Sequence, residues 1–128
     1  MRLLLDTHAL LWWLLGDDAL SLAAQTAVSD PENESFVSAA SAWEISTKHK
    51  LGRLPEAGRL LPDFDGIVAE HGFVELAVTI RQAERAGSLP LLHKDPFDRM
   101  LIAQALSSSL TVISNEQLFD RYGVSRLW

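Results

Sequence analysis

Leu3-Leu4-Leu5-Asp6-Thr7-His8 opens the chain with three consecutive apolar residues stopped by an acid. Such a run suits a strand covered on both faces, as in a parallel sheet. It is too short for periodicity alone to separate strand from helix, so its neighbours decide. A helix is expected over Thr7–Leu15, with Thr7 as N-cap and Gly16 as stop, and a second over Leu20–Val28, ended by Asp30-Pro31. Ser35–Ser38 reads as a strand, Ser41–Leu51 as a helix closed at Gly52, and Arg59–His71 as a helix closed at Gly72. Phe73–Val78 is expected as a strand, Thr79–Ala86 as a helix ended by Gly87, and Ser88–His93 as a loop. Asp95-Pro96 opens a helix through Leu106, and Thr111–Ile113 and Val124–Leu127 close the series as strands. Strands alternating with helices imply βαβ units. The expected fold is α/β: three layers, a mostly parallel central sheet of four to five strands, and helices on both faces. No repeat or linker divides the chain, so residues 1–128 are read as a single domain.

The totals bound the function. The absence of cysteine removes disulfides, thiolate nucleophiles and cysteine-based zinc sites, and fits a reducing compartment. A net charge of −6 argues against a broad basic surface for nucleic acid. Bound divalent metal would reverse that deficit locally. The apolar run Ala9–Leu15 is too short to cross a bilayer, and no basic segment precedes a signal-like core. A soluble cytoplasmic protein is expected, with no membrane partner.

Four acids fall where such a fold gathers ligands, at the carboxyl ends of its strands. Asp6 directly follows the first strand, Glu44 lies in the first turn of the helix after the second, Asp98 lies in the first turn of the Asp95-Pro96 helix, and Glu116 follows the Thr111–Ile113 strand. Carboxylates crowded together repel one another unless a cation compensates them. Each has a plainer reading. Asp6 can end a strand or assist the next helix start. Glu44 also fits a capping box with Ser41. Asp95 is the better capping aspartate, whereas Asp98 shares the inward stripe of Leu101, Ile102, Ala105 and Leu106. Glu116 can equally start a short helix to Tyr122 with Ser114 as its cap.

Four segments in order, Leu4-Leu5-Asp6-Thr7-His8, Ala42-Trp43-Glu44-Ile45, His93-Lys94-Asp95-Pro96-Phe97-Asp98-Arg99 and Ile113-Ser114-Asn115-Glu116, resemble the PIN-domain ribonucleases. Within these they resemble the VapC toxins of bacterial toxin–antitoxin pairs. The block from Asp95 to Arg99, followed by Met100-Leu101-Ile102-Ala103, is its most specific part, and the similarity spans essentially the whole chain. The resemblance implies a PIN-like fold, hydrolysis of RNA phosphodiesters, and Asp6, Glu44, Asp98 and Glu116 as the catalytic acids and the ligands of Mg²⁺ or Mn²⁺. It also implies a homodimer silenced by a cognate antitoxin. The family's fourth acid is usually an aspartate; here Glu116 stands in its place, one methylene longer, which leaves open whether one metal binds or two.

Thr7 and Ser114, each beside a site position, are candidate supporting hydroxyls, with capping as the alternative. Lys48, His49, Lys50 and Arg53 form the densest basic stretch. Lys48, Lys50 and Arg53 are candidate RNA-backbone contacts, or simply a solvated helix end. Trp12 and Trp13 point about 100° apart on a helix, which suggests one core and one partner-facing ring unless the pair is buried. The four histidines show no metal-ligand spacing and are read as structural. Two other classes compete with a metal nuclease. A catalytically weak module that binds RNA or an antitoxin is favoured by the change at Glu116, whereas an acidic-site phosphatase lacks its D-x-D-G-T nucleophile after the first strand.

Overall fold

Leu3, Leu4 and Leu5 lie in strand β1 (Arg2–Leu5) and have no exposed surface in the computed structural model, which describes residues 1–128. Successive strand residues face opposite sides of a sheet. Leu3 and Leu5 accordingly join one apolar cluster, with Leu10, Ile45, Phe64 and Ile113, while Leu4 joins another with Phe36, Ile102 and Phe119.

Strands β2 (Glu34–Ser38) and β4 (Thr111–Ile113) flank β1, and β3 (Val74–Leu76) and β5 (Arg126–Leu127) form the edges. All four pairings are parallel, with Leu4 opposite Phe36 on one side and Val112 on the other. Helices α1 (Thr7–Leu15), α2 (Leu22–Ser29), α3 (Ala39–Lys50) and α4 (Phe64–Glu70) pack on the Leu3–Leu5 face. Helix α6 (Pro96–Ser108), with α5 (Ile80–Ser88) packed against it, covers the Leu4 face. The three layers match the expected fold, with five strands, all parallel. No helix is long and apolar enough to cross a membrane.

Several local expectations are corrected. Asp6, not Thr7, caps α1: its Oδ1 accepts from the Ala9 N–H at 2.7 Å. Gly16, at φ 67°, ends that helix in the left-handed conformation a side chain would strain. Helix α2 starts two residues later than expected, behind the cap Ser21. Ser38 caps α3, so the helix begins at Ala39, the Ser41–Glu44 capping box does not form, and Glu44 lies in the second turn. The expected helix over Arg59–His71 is a 3₁₀ turn, Pro55–Arg59, followed by α4. Pro62 explains the break, since it donates no N–H and disfavours helix in the residue before it. Strand β3 is shorter than Phe73–Val78, β5 is shorter than Val124–Leu127, and Gly87 lies inside α5 rather than ending it. Trp12 and Trp13 are both half-buried, against Trp128 and Phe73 respectively, so the expected division into one core ring and one exposed ring does not occur.

A buried polar chain ties the sheet to its second helical layer. The Ser38 hydroxyl donates to Gln104 Oε1 at 2.6 Å, and Gln104 Nε2 donates to Gln82 Oε1 at 3.1 Å and the Ala77 carbonyl at 3.2 Å. Gln104 is fully buried, so its loss strands partners away from water. Gln104→Leu is expected to destabilise the fold by about 1–3 kcal/mol in urea unfolding. An unchanged unfolding midpoint would show that the network is energetically idle.

Candidate functional site

The strand order reverses at β1: the chain builds outward through β2 and β3, then returns to lay β4 and β5 on the other side. Open parallel sheets bind ligands outside the strand carboxyl ends at such a reversal. Asp6 is the first residue after β1 and Ser114 the first after β4. The Asp6 N–H donates to the Ile113 carbonyl at 3.1 Å, which fixes the two as neighbours.

Asp6 is 4% exposed. Burial pushes its pKa above the ordinary value, against hydrogen bonds from the Ser114 side chain and the Ala9 N–H; the charge of Glu44 adds to the rise. Glu44 reaches the same region from α3 and is 3% exposed. Its Oε2 is bonded by Lys48 Nζ, one helical turn on, while its buried Oε1 has no partner. Asp98 enters from the first turn of α6, behind the cap Asp95, and its Oδ2 pairs with His93 Nε2 at 2.7 Å. Burial raises the Asp98 pKa to about 6, opposed by the His93 bond and reinforced by the charges of Asp95 and Asp6. Asp6 therefore stands within electrostatic reach of both Glu44 and Asp98.

Glu116 is placed differently. Its Oε1 accepts from the Leu118 N–H at 3.0 Å, capping the 3₁₀ turn Gln117–Tyr122, and its charge acts on Arg126. Ser114 Oγ accepts from the Glu116 N–H at 2.9 Å, so this hydroxyl links Glu116 to Asp6. Thr7 donates to Ser41 Oγ at 3.1 Å and joins α1 to α3. Lys50 and Arg53 are exposed past the end of the site, whereas Lys48 is engaged with Glu44.

As the side chains stand, no three or more His, Asp or Glu groups are set to hold a metal ion. Glu44 is turned to Lys48 and Asp98 to His93, so ammonium and imidazole meet the carboxylates. The donor set nevertheless fits a hard divalent cation: carboxylate oxygens are the ligands Mg²⁺ and Mn²⁺ favour. The unpartnered Glu44 Oε1 is a buried acceptor for which nothing else in the chain compensates.

Sequence reading passed over three contributors. Arg99 is buried and donates to five backbone carbonyls, those of Ala86, Gly87, Leu89, Pro90 and His93, at 2.7–3.3 Å. It clamps the segment between α5 and α6 that carries His93. Tyr122 braces the same segment, donating to the Pro90 carbonyl at 2.6 Å and accepting from the His93 N–H at 2.9 Å. The Glu44–Lys48 pair was legible as an i,i+4 ion pair. His93 and Arg99 had no spacing signal, because a loop-to-helix contact obeys no period.

The PIN domain family model matches residues 3–124. The chain belongs to the PIN-domain family. No curated protein matches it in sequence. Among solved structures, the PIN fold seen here is similar to VapBC2 from Rickettsia felis bound to a DNA fragment from their promoter. That match has a TM-score of 0.69 and 12% identity, covering 99% of this chain and 98% of that one. It is also similar to DNA-bound VapBC from Salmonella typhimurium, with a TM-score of 0.69 and 18% identity over 99% and 97% of the two chains.

The raised Asp98 pKa has a measurable sign. Between 3.8 and about 6 the native carboxyl holds a proton that the unfolded chain has lost, so this group's contribution to stability falls as pH rises. In metal-free protein, Asp98→Asn is expected to gain stability relative to the wild type as pH is raised from about 5 to about 7. Urea titrations of both proteins at the two pH values measure it; an advantage that stays flat would refute the shift.

Proposed function

We propose that this PIN domain is a metal-dependent endoribonuclease and the toxin of a VapC-type toxin–antitoxin pair. One observation carries the reading: Asp6, at the sheet's switch point, lies within electrostatic reach of Glu44 and Asp98, and one buried Glu44 oxygen has no partner. A buried carboxylate cluster is unfavourable for stability alone, and a cation is what makes it useful. Mg²⁺ or Mn²⁺ held by Asp6, Glu44 and Asp98 would supply an activated water and neutralise phosphoryl charge.

The chain's own residues prepare that chemistry. Ser114 and the Ala9 N–H orient Asp6. Arg99 and Tyr122 fix the loop from which His93 holds Asp98. Lys48 balances Glu44 and, once released from it, offers an ammonium to a phosphate oxygen, as do the exposed Lys50 and Arg53 from further out. Glu116 serves from the outside: with Oε1 engaged at the Leu118 N–H, it acts on the site through water and Ser114. The VapBC complexes among the structural neighbours support an antitoxin as the protein partner, and a homodimer is the proposed assembly. The cytoplasm, where the RNA substrate lies, is the proposed location.

The second reading, a module that binds RNA or its antitoxin without cutting, is favoured by Glu116, whose carboxylate is committed to a turn. Purified chain, freed of antitoxin and incubated with structured RNA and Mg²⁺ or Mn²⁺, separates the two. Cleavage is expected, falling roughly 100-fold or more in Asp98→Asn. Equal cleavage by both proteins would sink the site assignment, and cleavage by neither would favour the binding module. Glu116→Gln keeps the capping oxygen and removes the charge. It is expected to lower the rate far less than Asp98→Asn does, and an equal loss would make Glu116 a direct metal ligand.

A further inference from the structure

Two helices carry the same dipeptide pattern, an aromatic residue followed by a site acid: Trp43-Glu44 on α3 and Phe97-Asp98 on α6. Consecutive helical residues diverge by about 100°. The acids therefore turn inward while the aromatic rings turn out together, meeting edge to face with centroids 5.0 Å apart. Trp43 is 64% exposed, the one tryptophan in the chain so open to solvent. Lys48 ties this pair to the site: its Nζ bonds Glu44 Oε2 and stands 5.9 Å from the Phe97 ring centroid.

An exposed indole is unfavourable in water and gains nothing in stability from its position. Here it is propped by Phe97 behind it, flanked by an ammonium, and attached to the residue that precedes a site carboxylate. An open aromatic face beside a cation is the arrangement on which an unpaired nucleobase stacks while its phosphate meets the charge. We propose that Trp43, backed by Phe97, is the stacking platform for one unpaired base of the substrate strand, setting which phosphodiester lies at the carboxylates. The proposal rests on the nuclease reading for its substrate class, and it specifies a single-stranded target at the cut. The two aromatic residues position the substrate and take no part in proton transfer.

The test is equilibrium binding of the full chain, in Mg²⁺, to end-labelled single-stranded 2′-O-methyl RNA, with the probe verified intact on a denaturing gel after each measurement. One probe is intact and a set carries a single abasic nucleotide at each successive position. Trp43→Ala is expected to weaken binding to the intact probe about tenfold or more, and Trp43→Phe to restore most of it. At one position the abasic probe should weaken the wild type and leave Trp43→Ala unaffected, because the same stack is removed twice. Thermal unfolding checks that both variants stay folded.

Affinity indifferent to Trp43, a wild type that binds no probe, or a Trp43→Ala loss that no abasic position matches would each overturn the platform. Cleavage that persists alongside Trp43-independent binding leaves the nuclease reading standing alone. Trp43-dependent, base-specific binding without cleavage overturns the nuclease reading and keeps the platform. If Trp43→Ala instead weakens only the antitoxin's hold, the face belongs to the protein partner and the stacking assignment fails.

Discussion

Asp6 ends the central strand with 4% of its surface exposed, and burial on that scale raises the free energy of its charge. The position follows from the strand before it. Leu3, Leu4 and Leu5 are covered on both faces, so the residue that follows them emerges at the sheet edge between two helical layers rather than into water. The backbone helps by closing α1 on Asp6 Oδ1, which ties the carboxylate to a helix N-terminus where negative charge is favoured. That cap engages one oxygen. Glu44 and Asp98 then bring further negative charge to the same edge, and the site is built around compensating it.

The chain's own side chains meet part of that demand. Lys48 engages one oxygen of Glu44 and His93 one oxygen of Asp98, each a near neighbour in sequence. These pairs leave Glu44 and Asp98 each hydrogen-bonded to a neighbour, with Asp6 within electrostatic reach of both. Compensation is incomplete, since Glu44 Oε1 stays unpartnered and the Asp98 pKa stays raised to about 6. Incomplete compensation is the useful condition. A fully satisfied network would compete with a cation for every oxygen, whereas here a buried carboxylate oxygen is left as a free acceptor of the kind hard divalent ions favour.

Much of this was legible in the sequence because buried strands and capped helices follow local rules. The Leu3–Leu5 run, the Asp95-Pro96 helix start and the stops at Gly16 and Gly52 are read from nearest neighbours. Convergence of Asp6, Glu44 and Asp98 follows from the parallel topology, which sends every strand's carboxyl end to one edge. What escaped was decided by competition between equally good local signals. Ser38 and Ser41 are both acceptable caps, and Ser38, the last residue of β2, is the one that caps α3. Asp6 and Thr7 compete in the same way at α1. The Arg99 clamp gave no signal, since carbonyls from the end of α5 and from the loop after it come together only in the finished fold.

If the substrate is RNA, as proposed, a chain of net charge −6 meets it against long-range repulsion, which a few cations at one edge relieve only locally. Phosphate contacts give affinity that salt weakens. Stacking on an aromatic face draws on dispersion and burial instead, and so depends far less on the sign of the protein's charge. The pairing of aromatic and acid on α3 and α6 then has a physical logic beyond packing: the helical turn that directs a carboxylate inward directs a ring outward, where the proposed base would stack. On the proposed nuclease reading, such a site would select its bond by where a base can leave its stack, and unpaired segments of folded RNA would be its targets.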